Sequence, residues 1–115
     1  MEVQRGDVVI VELSPTKGSE QRGVRPCLVV QNDVGNRYAP TTIVAPFTSN
    51  YDPDDTYPFE VEVEASDSAL NQDSVVLLNQ IQTVDIDERV RRVVGSLSTA
   101  RMAKVDYAIR ESLGL

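Results

Sequence analysis

Six short runs of apolar, mostly β-branched residues, each closed by proline, glycine or polar turn residues, restrict this chain to a small, mainly β fold. The first, Val8-Val9-Ile10-Val11-Glu12-Leu13, stops at Ser14-Pro15. Pro26-Cys27-Leu28-Val29-Val30 is apolar on both faces and so predicts a central or barrel-forming strand. Thr42-Ile43-Val44-Ala45-Pro46-Phe47 predicts a third. Phe59-Glu60-Val61-Glu62-Val63-Glu64 alternates cleanly, with Phe59, Val61 and Val63 toward a core and three glutamates toward water. Such a half-buried strand belongs to an antiparallel sheet. Ser74-Val75-Val76-Leu77-Leu78 is the fifth, and residues 89–94, ended by Gly95, are the sixth.

The segments between them read as loops. Residues 16–24 hold Gly18 and Gly23, residues 31–40 hold Asn32-Asp33, Gly35-Asn36 and Pro40, and residues 51–58 form a turn-rich connector. The tail differs. Ser98 can cap a helix starting at Thr99, with Leu97 and Met102 spaced as a hydrophobic staple. Met102, Val105, Ile109 and Leu113 recur at helical intervals, and Gly114 ends the run. No alternation of strands and helices supports a Rossmann arrangement. At 115 residues the chain is one domain, 1–115, because halves would be too small to hold a core.

The chemistry is narrowed by what is missing. There is no histidine, which removes the commonest general base and the commonest metal ligand. The single cysteine, Cys27, cannot form an internal disulfide and lies among apolar residues, so it reads as a buried, inert thiol in a reducing cytoplasm. No signal peptide is visible at the start, and no apolar run reaches the ~20 residues of a membrane span. Neither G-x-x-x-x-G-K-[ST] nor G-x-G-x-x-G occurs. Asp52-Pro53-Asp54-Asp55 lacks the spaced ligands of a calcium loop and reads as a solvated acidic turn. Arg5-Gly6-Asp7 reads as the turn leading into the first strand.

The net charge is −7, which speaks against coating a nucleic acid by bulk electrostatics. The average hides a split. Residues 1–50 balance Arg5, Lys17, Arg22, Arg25 and Arg37 against Glu2, Asp7, Glu12, Glu20 and Asp33, so residues 51–115 carry all of the excess. If the chain touches a polyanion, the contact is therefore expected in the first half, near Lys17, Arg22 and Arg25. There, Ser19-Glu20-Gln21-Arg22-Gly23-Val24-Arg25-Pro26 places a polar loop and an arginine at the mouth of an apolar strand. On these residues alone, Arg25 is either an ion-pair partner or an anion-binding group. Thr48 reads as a strand-end hydroxyl and Gln80 as a surface amide.

The chain resembles the MazF/PemK family of toxin endoribonucleases. The residues that carry the resemblance run nearly the whole length: Arg5-Gly6-Asp7-Val8, Gly18-Ser19-Glu20-Gln21, Arg25-Pro26, Val30-Gln31-Asn32-Asp33, the block from Pro40 to Pro46, Thr48-Ser49, Asp73 to Leu78, Gln80-Ile81 and Gly95-Ser96-Leu97-Ser98. The resemblance implies a small plug-type, SH3-like antiparallel barrel with a C-terminal helix, acting as a homodimer. It implies metal-independent cleavage of single-stranded RNA at a short sequence, leaving a 2′,3′-cyclic phosphate and a 5′-hydroxyl. It implies no cofactor, no membrane association and a cognate antitoxin that occludes the RNA site. By the same match Arg25 and Thr48 are the catalytic pair, and Ser19 and Gln80 line the RNA site. Glu20 joins the RNA-binding set and is a candidate to take the 2′-proton; Arg25 and water are the others. The loops 16–24 and 50–58 are expected to read bases. The competing class is a non-catalytic, CcdB-like module that acts on a topoisomerase by contact alone.

Overall fold

Each of the six apolar runs forms a strand in the computed structural model, which describes residues 1–13 and 17–115. The Ser14-Pro15 stop, and Thr16 at the start of the 16–24 loop, lie outside the described residues. The chain runs β1 (Asp7–Leu13), β2 (Gly23–Val29), α1 (Asp33–Tyr38), β3 (Thr41–Thr48), β4 (Glu60–Val63), α2 (Ala65–Ser68), β5 (Ser74–Leu77), β6 (Gln82–Asp85), α3 (Ile86–Arg89), β7 (Val90–Ser96) and α4 (Thr99–Leu113). Among the described residues there are thus seven strands, one more than expected.

The strand order is β4-β5-β3-β2-β1-β7, every pairing antiparallel, with β6 attached beside β3. A mainly antiparallel β fold with a C-terminal helix is therefore what the chain makes. The expected closure into a barrel is not present: among the described residues no pairing joins β4 to β7. Instead β3 divides one of its edges. Residues Thr41 to Val44 pair with β6, and Phe47 and Thr48 pair with β5. Pro46, which has no N–H to donate, lies where the partner changes.

The sheet is buried on both faces. Leu28, Phe47, Val76 and Leu78 pack with Val105 and Ala108 of α4 in one apolar cluster. Val9, Val11, Cys27, Val29, Val44 and Val84 form the other. Adjacent residues Cys27 and Leu28 go to different clusters, which is why β2 reads as apolar throughout. In β4, Val61 and Val63 are buried as expected, whereas Phe59 is only half-buried and stacks on Tyr57 with ring centroids 5.2 Å apart.

Helix α4 starts and stops where its sequence says. The Ser98 hydroxyl accepts the Arg101 N–H at 3.2 Å, and Gly114 closes the helix at φ 72°. Met102 and Ile109 pack on the core beside Val105, but Leu113 is exposed. The 31–40 segment is not a loop: it holds α1, capped by Asn32, whose side-chain oxygen accepts the Gly35 N–H at 2.8 Å. Arg5-Gly6-Asp7 is a turn with Gly6 at φ +94°. Arg5 ties it down, donating to the Val30 carbonyl at 2.9 Å and to Asp106 of α4 at 2.6 Å. No helix among the described residues is long and apolar enough to cross a membrane.

Candidate functional site

Register brings Arg25 and Thr48 together. In the β2–β3 ladder Val29 faces Val44, Leu28 faces Ala45 and Cys27 faces Pro46. The ladder ends there, and Arg25 lies two residues beyond it on β2 and Thr48 two residues beyond it on β3. Both residues line one open groove of about 560 Å³, with Ile10, Pro26 and Phe47 also in its wall. Asn50, Asn71 and Gln72 add amides to its rim.

Arg25 is fixed at one end only. Its Nε donates to the Arg22 carbonyl at 2.8 Å, which sets the plane of the guanidinium. That bond leaves the two terminal nitrogens to donate elsewhere, the forked edge that matches a phosphate. Among the described residues no carboxylate pairs with Arg25. The Thr48 hydroxyl oxygen accepts the Asn50 N–H at 3.1 Å, so its own proton remains to be donated. The groove therefore holds a fixed cation and a fixed hydroxyl donor in its lining, a pair suited to an anionic oxygen.

Cys27, two residues from Arg25, is buried, and burial pushes its thiol up to about 12 against the smaller opposing pull of the Arg25 charge. It is held as a neutral thiol, not as a nucleophile.

Ser19, Glu20 and Gln80 lie outside the lining of that groove. They form a second group. Gln80, just after β5, accepts the Gln21 N–H at 2.9 Å and reaches the Ser19 carbonyl at 3.5 Å. Gln80 is thus the clip that holds residues 19–21, while Ser19 and Glu20 are exposed. One loop connects the two groups, since Gln21 is held by Gln80 and Arg22 by Arg25. Gln21 Oε1 is the one buried side-chain polar atom without a partner among the described residues.

Of the 50–58 segment only Asn50 lines the groove. Tyr51 turns to β4, donating to Glu62 at 2.7 Å; burial first, and that carboxylate second, push its phenol up to about 12. Asp52 accepts the Asp54 N–H at 2.9 Å in a local turn. Among the described residues no three His, Cys, Asp or Glu side chains converge to hold a metal ion.

Sequence reasoning missed Asn71, Gln72 and Arg92, all on the groove. The first two follow a short helix, α2, that periodicity does not detect. The last is the second of two consecutive arginines in a strand.

Comparison with known proteins gives one consistent result. Residues 4–113 match the family described as PemK-like, MazF-like toxin of type II toxin-antitoxin system. The chain is 46% identical over 113 residues to the Endoribonuclease MazF of Staphylococcus epidermidis, covering 98% of this chain and 92% of that one. Among solved structures, an endoribonuclease in complex with its cognate antitoxin from Mycobacterial species superposes with TM-score 0.80 at 26% identity, over 98% of this chain and 96% of that one. A MazE–MazF structure from Deinococcus radiodurans gives TM-score 0.78 at 26% identity, over 100% and 98%.

Proposed function

The chain belongs to the PemK-like, MazF-like toxins of type II toxin–antitoxin systems and is an RNA-cleaving enzyme of that family, and on that premise we propose that it cuts single-stranded RNA at a short sequence, without a metal ion, through Arg25 and Thr48. The ribose 2′-oxygen attacks the adjacent phosphorus, the bond from phosphorus to the 5′-oxygen breaks, and the products are a 2′,3′-cyclic phosphate and a 5′-hydroxyl. Negative charge grows on the non-bridging oxygens as the new bond forms. A guanidinium fixed before the reaction stabilises that charge more than it stabilises the ground state. Thr48 donates a further hydrogen bond to the same phosphate.

The observation that carries this reading is the shared groove: an arginine with no ion-paired acid among the described residues and a hydroxyl with its proton to spare, lining the same groove. Removal of the 2′-proton falls to water, while the departing 5′-oxygen takes its proton from water or from the Arg25 guanidinium. The chain has no histidine, Glu20 is not in the groove lining, and an arginine stays protonated. Single-stranded RNA is the fitting substrate because only unpaired bases expose their edges to amides such as Asn50, Asn71 and Gln72. We further propose that the chain acts as a homodimer and that a cognate antitoxin neutralises it; the mycobacterial endoribonuclease is seen in complex with its own cognate antitoxin, which supports the second part.

The test is cleavage of a long mixed-sequence RNA in EDTA, with the new 5′ ends mapped. Arg25→Ala and Thr48→Ala each lower the rate by a factor of ~10²–10³, the usual loss for one transition-state donor. Cleavage at the wild-type rate by both variants overturns the site. An absolute need for magnesium overturns the metal-free step, and DNA breaks in place of RNA loss on expression would point to a topoisomerase poison.

A further inference from the structure

The geometry points to Arg92 as a second phosphate-binding residue of the groove, gripping an RNA phosphate that flanks the scissile one; this rests on the reading of the groove as the RNA site. Arg92 lies on β7, which pairs with β1 through a register that slips twice. Val8 faces Gly95 but Val9 faces Val93, and Ile10 faces Arg92 but Val11 faces Val90. Val94 and Arg91 are thus the extra residues of two bulges. Bulges re-aim side chains, and here the second separates two adjacent arginines. Arg91 pairs with Glu12 at 2.7 Å. Arg92, directly across from Ile10, lines the groove with Ile10 and Arg25.

The charge of Arg92 is uncompensated. Arg5 pairs with Asp106 and Arg91 with Glu12. Among the described residues neither a carboxylate nor a carbonyl meets the Arg92 guanidinium. In a chain of net charge −7, one groove keeps two arginines without acids. Arg92 and Arg25 are separated by β1, so their backbones stand two strand spacings apart, about 10 Å. Arg92 lies across from Ile10, which also faces Pro26, and Arg25 lies across from Val11, one residue along β1, so both arginines border the same stretch of the groove. Asn71 and Gln72 add amides to the same groove.

The test uses the full chain and an RNA oligonucleotide carrying its mapped cleavage site, with a 2′-deoxy sugar at the reacting position so that it binds without being cut. Binding is measured from about 100 to 300 mM salt for wild type, Arg92→Gln and Arg92→Lys. Loss of one charged hydrogen-bonded contact weakens binding about tenfold for Arg92→Gln. Each phosphate contact on a single strand contributes about 0.7 to the slope of log affinity against log salt, so the slope falls by about 0.7 in that variant. Arg92→Lys restores the slope, because an ammonium still neutralises one phosphate; a merely structural role would move neither quantity. On cleavable RNA, KM rises in Arg92→Gln by more than kcat falls. Equal affinity and slope in Arg92→Gln, with wild type cleaving normally, overturn the role of Arg92 alone. A wild type that neither binds nor cuts RNA overturns both this role and the reading of the groove.

Discussion

Gly95 has no room for a side chain. A Cβ built on it would lie 2.9 Å from the Cβ of Ala69, closer than carbon atoms pack. Ala69 cannot retreat easily, because it holds the left-handed conformation at φ 61° that ends α2, the one such non-glycine residue among those described. An alanine there stores roughly 1–2 kcal/mol of strain. The next three residues, Leu70, Asn71 and Gln72, line the groove, so the Gly95–Ala69 contact sets where two amides stand. Overpacking of this kind typically destabilises by about 1–3 kcal/mol. Gly95→Ala therefore lowers the unfolding free energy obtained from urea titration by that amount, and adding Ala69→Gly, which removes both the opposing methyl and the strain, recovers most of it. Simple additivity of the two substitutions in a double-mutant cycle would show that the contact does not exist. The glycine that sequence reading took as the end of β7 is inside the strand, kept for space and not for a turn.

Elements with a long or strict pattern were legible, and those defined by one side-chain contact were not. The alternation in β4, the doubly apolar β2 and the staple and cap of α4 are properties of residue order, so they could be read. Strand β6 could not: of its four residues only Val84 is buried, and β3 supplies the ladder that makes it a strand. Arg92 was hidden because a bulge breaks the alternation that predicts facing, whereas Arg25 and Thr48 are singled out as a pair by the family resemblance and not by their residue pattern. Helix α1 was misread because Asn32-Asp33 and Gly35-Asn36 signal turns as readily as caps. Its docking decides the matter. Asp33 accepts the Arg5 backbone N–H at 2.7 Å and the Asn36 amide at 3.1 Å. The first of these bonds, then the second, hold its carboxyl below the ordinary 3.8. A lowered value in the folded state means stability that is fully present above the unfolded value and is lost as pH falls through the folded one. Wild type is thus more resistant to urea than Asp33→Asn at pH 7, and the gap narrows once the pH drops below about 3.8. A gap that stays constant down to pH 2.5 would show that the charge on Asp33 does not help hold α1 to the turn before β1.

For the whole molecule, the question is how a protein of net charge −7 captures RNA. The excess acid lies in residues 51–115, and the stretch from Asp52 to Asp73, which spans the connector, β4 and α2, has no basic residue at all. The arginines of the groove, Arg25 and Arg92, come from β2 and β7. Which of these an approaching strand senses depends on the screening length. At 0.01 M salt the Debye length is about 30 Å, well beyond the 13.0 Å radius of gyration, so RNA meets the net negative field. At 0.1 M it is about 10 Å, shorter than the molecule is wide, and the groove arginines act locally while the distant acids are screened. Repulsion slows encounter and local pairing slows escape, and salt weakens the first before the second. Initial-rate measurements of kcat/KM on a short RNA between 10 and 400 mM salt should therefore hold steady or rise to about 100 mM and decline only above it. A steep fall beginning at 10 mM, as expected where a basic surface gathers the substrate from a distance, would mean that cations other than the groove arginines dominate capture.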